Sequence, residues 1–155
     1  TRGWPSLSAA RGRFIFVLDE GGATRSTYLA IHLRLGGAVF FVDSGEHQPE
    51  SAFLVINDPV KHEQRIRDLV MQGFLVRTRA DADTREARTN DLARFEAAKR
   101  SGAQIITTDY YIPDRSLDER YSIRFEDGGF VRANPVTRRV PAAGTHARGE
   151  LSIPR

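Results

Sequence analysis

A chain of 155 residues with 40% hydrophobic residues is long enough for one ordinary domain with a useful core, and no apolar run approaches the ~20 residues that cross a bilayer, so any membrane contact is expected to be peripheral. The absence of cysteine excludes disulfides, thiolate metal sites and cysteine nucleophiles. The formal charge of +3 is carried almost wholly by arginine, Lys61 and Lys99 being the only lysines, and it is scattered among acids; this speaks against an extended nucleic-acid surface and for a compact phosphate target, which arginine grips bidentately.

Taken in order, Trp4 to Gly12 reads as a short helical turn closed by glycine. Phe14 to Leu18 is a continuous apolar run too short for a helix and rich in β-formers, hence a buried strand leaving through Asp19, Glu20, Gly21 and Gly22. Ser26 to Leu35 predicts a short helix or irregular crossover ended by Gly36 and Gly37. A second buried strand, Ala38 to Val42, exits into Asp43, and a third, Phe53 to Ile56, exits into Asn57, Asp58 and Pro59. Aspartate followed by proline is a helix start, because the carboxylate accepts from free amides and proline suits the first helical position. The helix Val60 to Gln72 should then bury Ile66, Leu69 and Val70 and stop at Gly73.

The densest stretch follows. Phe74-Leu75-Val76 runs into Arg77, Arg79, Asp81 and Asp83; a helix begun at Asp83 or Thr84 turns Leu92 and Phe95 inward and stops at Gly102; Ile105-Ile106 then exits into Thr108, Asp109 and Tyr110. Strand, helix, strand with polar groups at each exit is the pattern of a parallel βα unit, whose chemistry gathers at those exits. Tyr121 to Phe125 alternates and predicts a short edge strand, and from residue 137 the chain is expected to form an irregular tail. Five buried strands with helical crossovers fit either an open doubly wound sheet or part of a closed barrel. The first strand is followed by no GxGxxG or GxxxxGK[ST] phosphate loop.

Arg77 and Arg79 share strand parity with Leu75, so both guanidinium groups lie on one face at the strand exit. Their partner is either an anionic substrate or the carboxylates of Asp19, Asp43 or Asp109 in an ion pair, and the residues alone leave these balanced. Asp81 and Asp83 lack the glycine and the length of an EF-hand loop, so capping by Asp83 is the expected role. Asp19 and Glu20 sit where a base or ligand would be placed, though turn formation explains them nearly as well. His32, His47, His62 and His146 show no metal-ligand spacing, and no serine stands in a GxSxG elbow.

The run GFLVRTRADADTREARTNDLARFEAAKRSGAQIITTDYYIPD, with RFIFVLDE, AVFFVDS and FLVINDP before it and VRANPV after it, resembles bacterial calcium-dependent phosphoinositide phospholipase C over roughly Trp4 to Val136. Such enzymes are TIM barrels related to the eukaryotic catalytic core and, more distantly, to glycerophosphodiester phosphodiesterases. The resemblance implies an α/β fold in which residues 1–136 supply about five later barrel strands. It implies Ca2+ and two histidines acting on a phosphodiester, with those histidines and most calcium ligands upstream of this chain, so that no catalytic residue is expected here and the chain alone is expected to be inactive. It further implies a phospholipid or glycerophosphodiester substrate, with export from the cell as the expected localisation. Arg77 matches an arginine that contacts the inositol ring or its phosphates. Arg79 stands where eukaryotic relatives stack a tyrosine, and Asn57 falls near a polar headgroup contact. Asp19 and Asp109 complete the expected substrate-binding set. Where eukaryotic relatives carry phosphate-binding lysines on the strand matching RFIFVLDE, this chain has Asp19 and Glu20, which implies recognition of hydroxyls over ring phosphates.

Overall fold

The computed structural model describes residues 4–137. All five expected strands form: β1 (Phe16–Leu18), β2 (Phe40–Val42), β3 (Phe53–Val55), β4 (Leu75–Arg79) and β5 (Ile105–Thr107). β1 pairs with β2, β3 with β4 and β4 with β5, every pairing parallel. A single parallel bridge between Asp43 and Phe53 joins the two ladders. Strand order therefore follows chain order, the arrangement of an arc of a β/α barrel; a doubly wound sheet reverses its order at a switch point.

The crossovers are α1 (Gly22–Ile31), α2 (Pro59–Gln72), α3 (Arg85–Thr89) and α4 (Ala93–Ser101). Helix α2 starts as its sequence dictates: Asp58 accepts from the Lys61 N–H at 3.1 Å and Pro59 opens the first turn. Its buried Ile66, Leu69 and Val70 pack on Leu54, Ile56 and Val76 of the sheet. A second cluster joins Ala80, Ala87, Phe95, Tyr110, Tyr121 and Ile123. Val76, Thr78 and Ala80 thus turn toward the helices, and the pleat sends Leu75, Arg77 and Arg79 to the opposite face. Among the described residues no helix is long and apolar enough to cross a membrane.

Four expectations change. The helix expected from Asp83 or Thr84 to Gly102 starts after Thr84 but is two helices, broken where Asn90 takes a left-handed conformation and Asp91 accepts from the Ala93 N–H at 2.8 Å. Leu92 falls in that break and is exposed, whereas Phe95 is buried as expected. Asp83 is itself left-handed and caps nothing; Glu86 reaches back to the Ala82 N–H at 2.9 Å instead. Tyr121 to Phe125 forms no ladder: it crosses beside α3 and α4, bonded from Ile123 N–H to the Tyr110 carbonyl at 2.9 Å, so its alternation records burial without sheet pairing.

The fourth change is at β1 and β2, both expected to be buried: β1 has no buried residue and β2 only Val42. Phe14 is 88% and Phe16 49% exposed, because β1 lies at one end of the sheet and Tyr28 of α1 packs on Phe40 of β2. Trp4 packs on Phe41 with ring centroids 5.1 Å apart, beneath the face opposite the helices. The tail expected from residue 137 lies, beyond Thr137, outside the described residues, as does His146.

Candidate functional site

Because all five strands are parallel, their carboxyl ends open on one side. Register sets Phe53 beside Leu75 and Val55 beside Arg77, then Arg77 beside Ile105 and Arg79 beside Thr107, and the two-residue pleat carries this face, away from the helices, on to Asn57 and Asp109. The Asp43–Phe53 bridge continues that face to Asp43, and the β1–β2 register continues it to Asp19. Asp19, Asp43, Asn57, Arg77, Arg79 and Asp109 therefore line one rim.

The two arginines are held differently. Arg77 donates from Nη1 to the Asn57 Oδ1 at 2.7 Å, so its direct partner is a neutral amide and its charge is not cancelled by contact. Arg79 faces Asp109 with N to O at 3.6 Å, and the Asp109 side chain is 69% exposed. Such an exposed, stretched pair contributes roughly 0 to 1 kcal/mol. The structure brings Arg77 and Asn57 together, and Arg79 and Asp109 together. Asp19 is exposed on the rim, close enough to Asp43 to repel its charge.

Two carboxylates at and beneath the rim are held by backbone and hydroxyl donors: Asp43, which the sequence offered only as an ion-pair partner, and Asp81, to which it gave no site role. Asp43 accepts from the Val55 N–H at 2.9 Å, and its carbonyl takes a hydrogen bond from Arg25 at 2.6 Å. Burial pushes its carboxyl up, with Asp19 adding to the rise, while the Val55 N–H, Arg25 and Arg77 pull it down. Asp81 is fully buried, accepting from the Thr108 hydroxyl at 2.5 Å and from the Asp109 N–H at 3.3 Å. Burial raises it too, against those two donors. Asp81 thereby ties the exit of β4 to the exit of β5. Nothing in the spacing of Asp81 and Thr108 advertises this; only parallel pairing puts them side by side.

Around α3 a shallow depression of about 500 Å³ is lined by Arg88, Arg115, Asp118 and Arg120, outside the rim. Asp118 neutralises Arg120 there, which holds the Asp118 carboxyl down at about 2. It gathers no strand-exit residue, so the rim remains the candidate site. Among the described residues no three of Asp, Glu or His cluster as a metal group.

Chemically, the rim offers one preorganised cation, a second loosely paired cation, and carboxylates and an amide able to accept from hydroxyls. That combination suits an anion carried on a polyol. The family model for Ca2+-dependent phosphoinositide phospholipase C matches residues 1–135. No curated protein and no solved structure matches the chain significantly. The family match covers the five parallel strands and the rim they carry, and the chain belongs to the Ca2+-dependent phosphoinositide phospholipase C family.

Proposed function

We propose that this chain supplies the headgroup-binding rim of a phospholipase C acting on phosphatidylinositol-type lipids, with Arg77 as the principal phosphate ligand. The observation that carries this is the Arg77–Asn57 clamp at 2.7 Å, which orients a guanidinium fork without neutralising it. An oriented, uncancelled cation at the carboxyl end of parallel strands stabilises the phosphoryl oxygens of a bound diester. Arg79, released from Asp109, adds a second contact to the ring or its phosphate. Asp19, Asp109 and the Asn57 amide accept from ring hydroxyls, and the two carboxylates repel additional ring phosphates.

Calcium belongs to the family description. The described residues do not fit it alone: Asp43 is occupied by the Val55 N–H and flanked by Arg25 and Arg77, and no third Asp, Glu or His gathers with Asp19 and Asp43 among the described residues, where roughly six to eight oxygens are needed. What these residues do is bind and orient the headgroup. Beside Asp109 the loop presents exposed Tyr111 and Ile112, with the Tyr111 carbonyl held by Arg124 at 3.2 Å, an apolar tip suited to a lipid surface.

Calorimetric titration with inositol monophosphate, glycerol phosphate and inositol trisphosphate tests the reading. Inositol monophosphate is expected to bind most tightly and Arg77→Met to weaken it about tenfold or more. Tighter binding of the trisphosphate would overturn the hydroxyl preference, and preference for glycerol phosphate would favour a glycerophosphodiesterase. Binding unaffected by Arg77→Met would leave only a generic anion-binding α/β domain.

A further inference from the structure

Arg94, the second residue of α4, is largely enclosed, its side chain 15% exposed against 32% for Arg79. Its Nη2 donates to the Asn57 backbone carbonyl at 2.6 Å. Its nearest carboxylate, Glu86, is at 4.0 Å from Nη1 and spends its other oxygen on the Ala82 N–H. Its Nε is buried without a partner. An arginine present only to stabilise the packing of α3 and α4 would form the bidentate pair with Glu86 that its fork allows. Here the ion pair is stretched, one buried donor is unsatisfied, and the shortest bond goes to Asn57.

Asn57 needs that bond. The ladder between β3 and β4 continues through Ile56, whose N–H donates to the Arg77 carbonyl at 3.0 Å and whose carbonyl accepts from the Thr78 hydroxyl at 2.7 Å. Asn57 lies one residue beyond, with no ladder partner to set its peptide plane. We propose that Arg94 is a positioning residue: by pinning the Asn57 carbonyl from behind, it aims the Asn57 amide that clamps Arg77 and so presents the Arg77 fork in one orientation. Its role toward a ligand rests on the headgroup reading above; its role toward Asn57 and Arg77 does not.

The test uses the full chain with Arg94→Met, which keeps the aliphatic stem, and Arg94→Lys, which keeps a donor. Without ligand, nuclear magnetic resonance of the Asn57 side-chain amide and the Arg77 Nε–H is expected to show both signals moved and broadened in Arg94→Met and largely restored in Arg94→Lys, with the melting curve retained. Unchanged signals in Arg94→Met overturn the proposal. With inositol monophosphate as probe, Arg94→Met is expected to lose about tenfold in affinity in the native background and almost nothing in an Asn57→Ala background, since the coupling runs through that side chain. Equal losses in both backgrounds also overturn it. If the native chain does not bind the probe at all, the headgroup reading fails, and the resonance experiment alone decides the positioning role.

Discussion

Arg77 and Arg79 are two residues apart on one strand, yet their partners give them different work. A guanidinium clamped by a neutral amide loses little orientation entropy when an anion arrives, whereas one paired with an exposed carboxylate must first release it. Arg77→Met is therefore expected to reduce affinity for inositol monophosphate by about ten- to hundredfold and Arg79→Met by less, as calorimetry would read. The reverse order would count against the clamp. Asp81 sets a pH dependence at the same scale. Burial raises its carboxyl above the ordinary 3.8, so the folded chain holds that proton more tightly than the unfolded chain. The resulting stabilisation is fullest below the unfolded value and fades as pH rises through the folded one. In urea titrations, the stability of the native chain relative to Asp81→Asn is expected to decline between acid and neutral pH. The raised Asp43 carboxyl is common to both proteins and cancels. A pH-independent difference would mean that Asp81 is not perturbed.

Among the elements, the ends of α2 and α4 make a matched pair. Gly73 and Gly102 both close a helix in the left-handed region, with φ of 96° and 77°. At Gly73 an added Cβ meets nothing within 4 Å, while at Gly102 it would overlap the side chain of Val136. Asn134 holds the Gly102 carbonyl at 2.7 Å and accepts from the Val136 N–H at 2.9 Å, which explains why the VRANPV segment lies where it does. Gly73→Ala should cost about 1 kcal/mol from backbone strain alone. Gly102→Ala should cost about 2 to 4 kcal/mol, because a clash adds to that strain. Chemical denaturation of the two variants separates the contributions; equal losses would show that Val136 gives way. The β5 exit carries a further expectation. Replacing Tyr111 and Ile112 together by serine should abolish cosedimentation with phosphatidylinositol vesicles while leaving binding of soluble inositol monophosphate intact, since neither side chain belongs to the rim.

For the whole molecule, the exposed aromatic row is the dominant feature. Along β1 and β2, Phe14 stacks on Phe16 with centroids 6.3 Å apart and Phe16 meets Phe40 in a tilted contact at 5.7 Å, and β1 has one unpaired edge among the described residues. Exposed aromatic surface beside an open strand edge promotes association. Sedimentation velocity is expected to show concentration-dependent self-association that Phe16→Lys reduces. A monomer at all concentrations would mean that this surface is covered in solution.

Local chemistry alone determined the five strands, the start and stop of α2 and the common face of Arg77 and Arg79, because apolar run length, an aspartate–proline cap and the two-residue pleat are properties of neighbouring residues. The family was legible in the run from Gly73 to Asp114. Only the tertiary structure decided the sequential strand order, the break at Asn90, the pairing of Arg77 with Asn57 and the burial of Asp81 against Thr108. The two side-chain pairings depend on strand ends brought together across 20 or more residues of chain, where a nearest partner in space leaves no mark on the spacing, whereas the break at Asn90 is a local turn that the apolar spacing does not reveal.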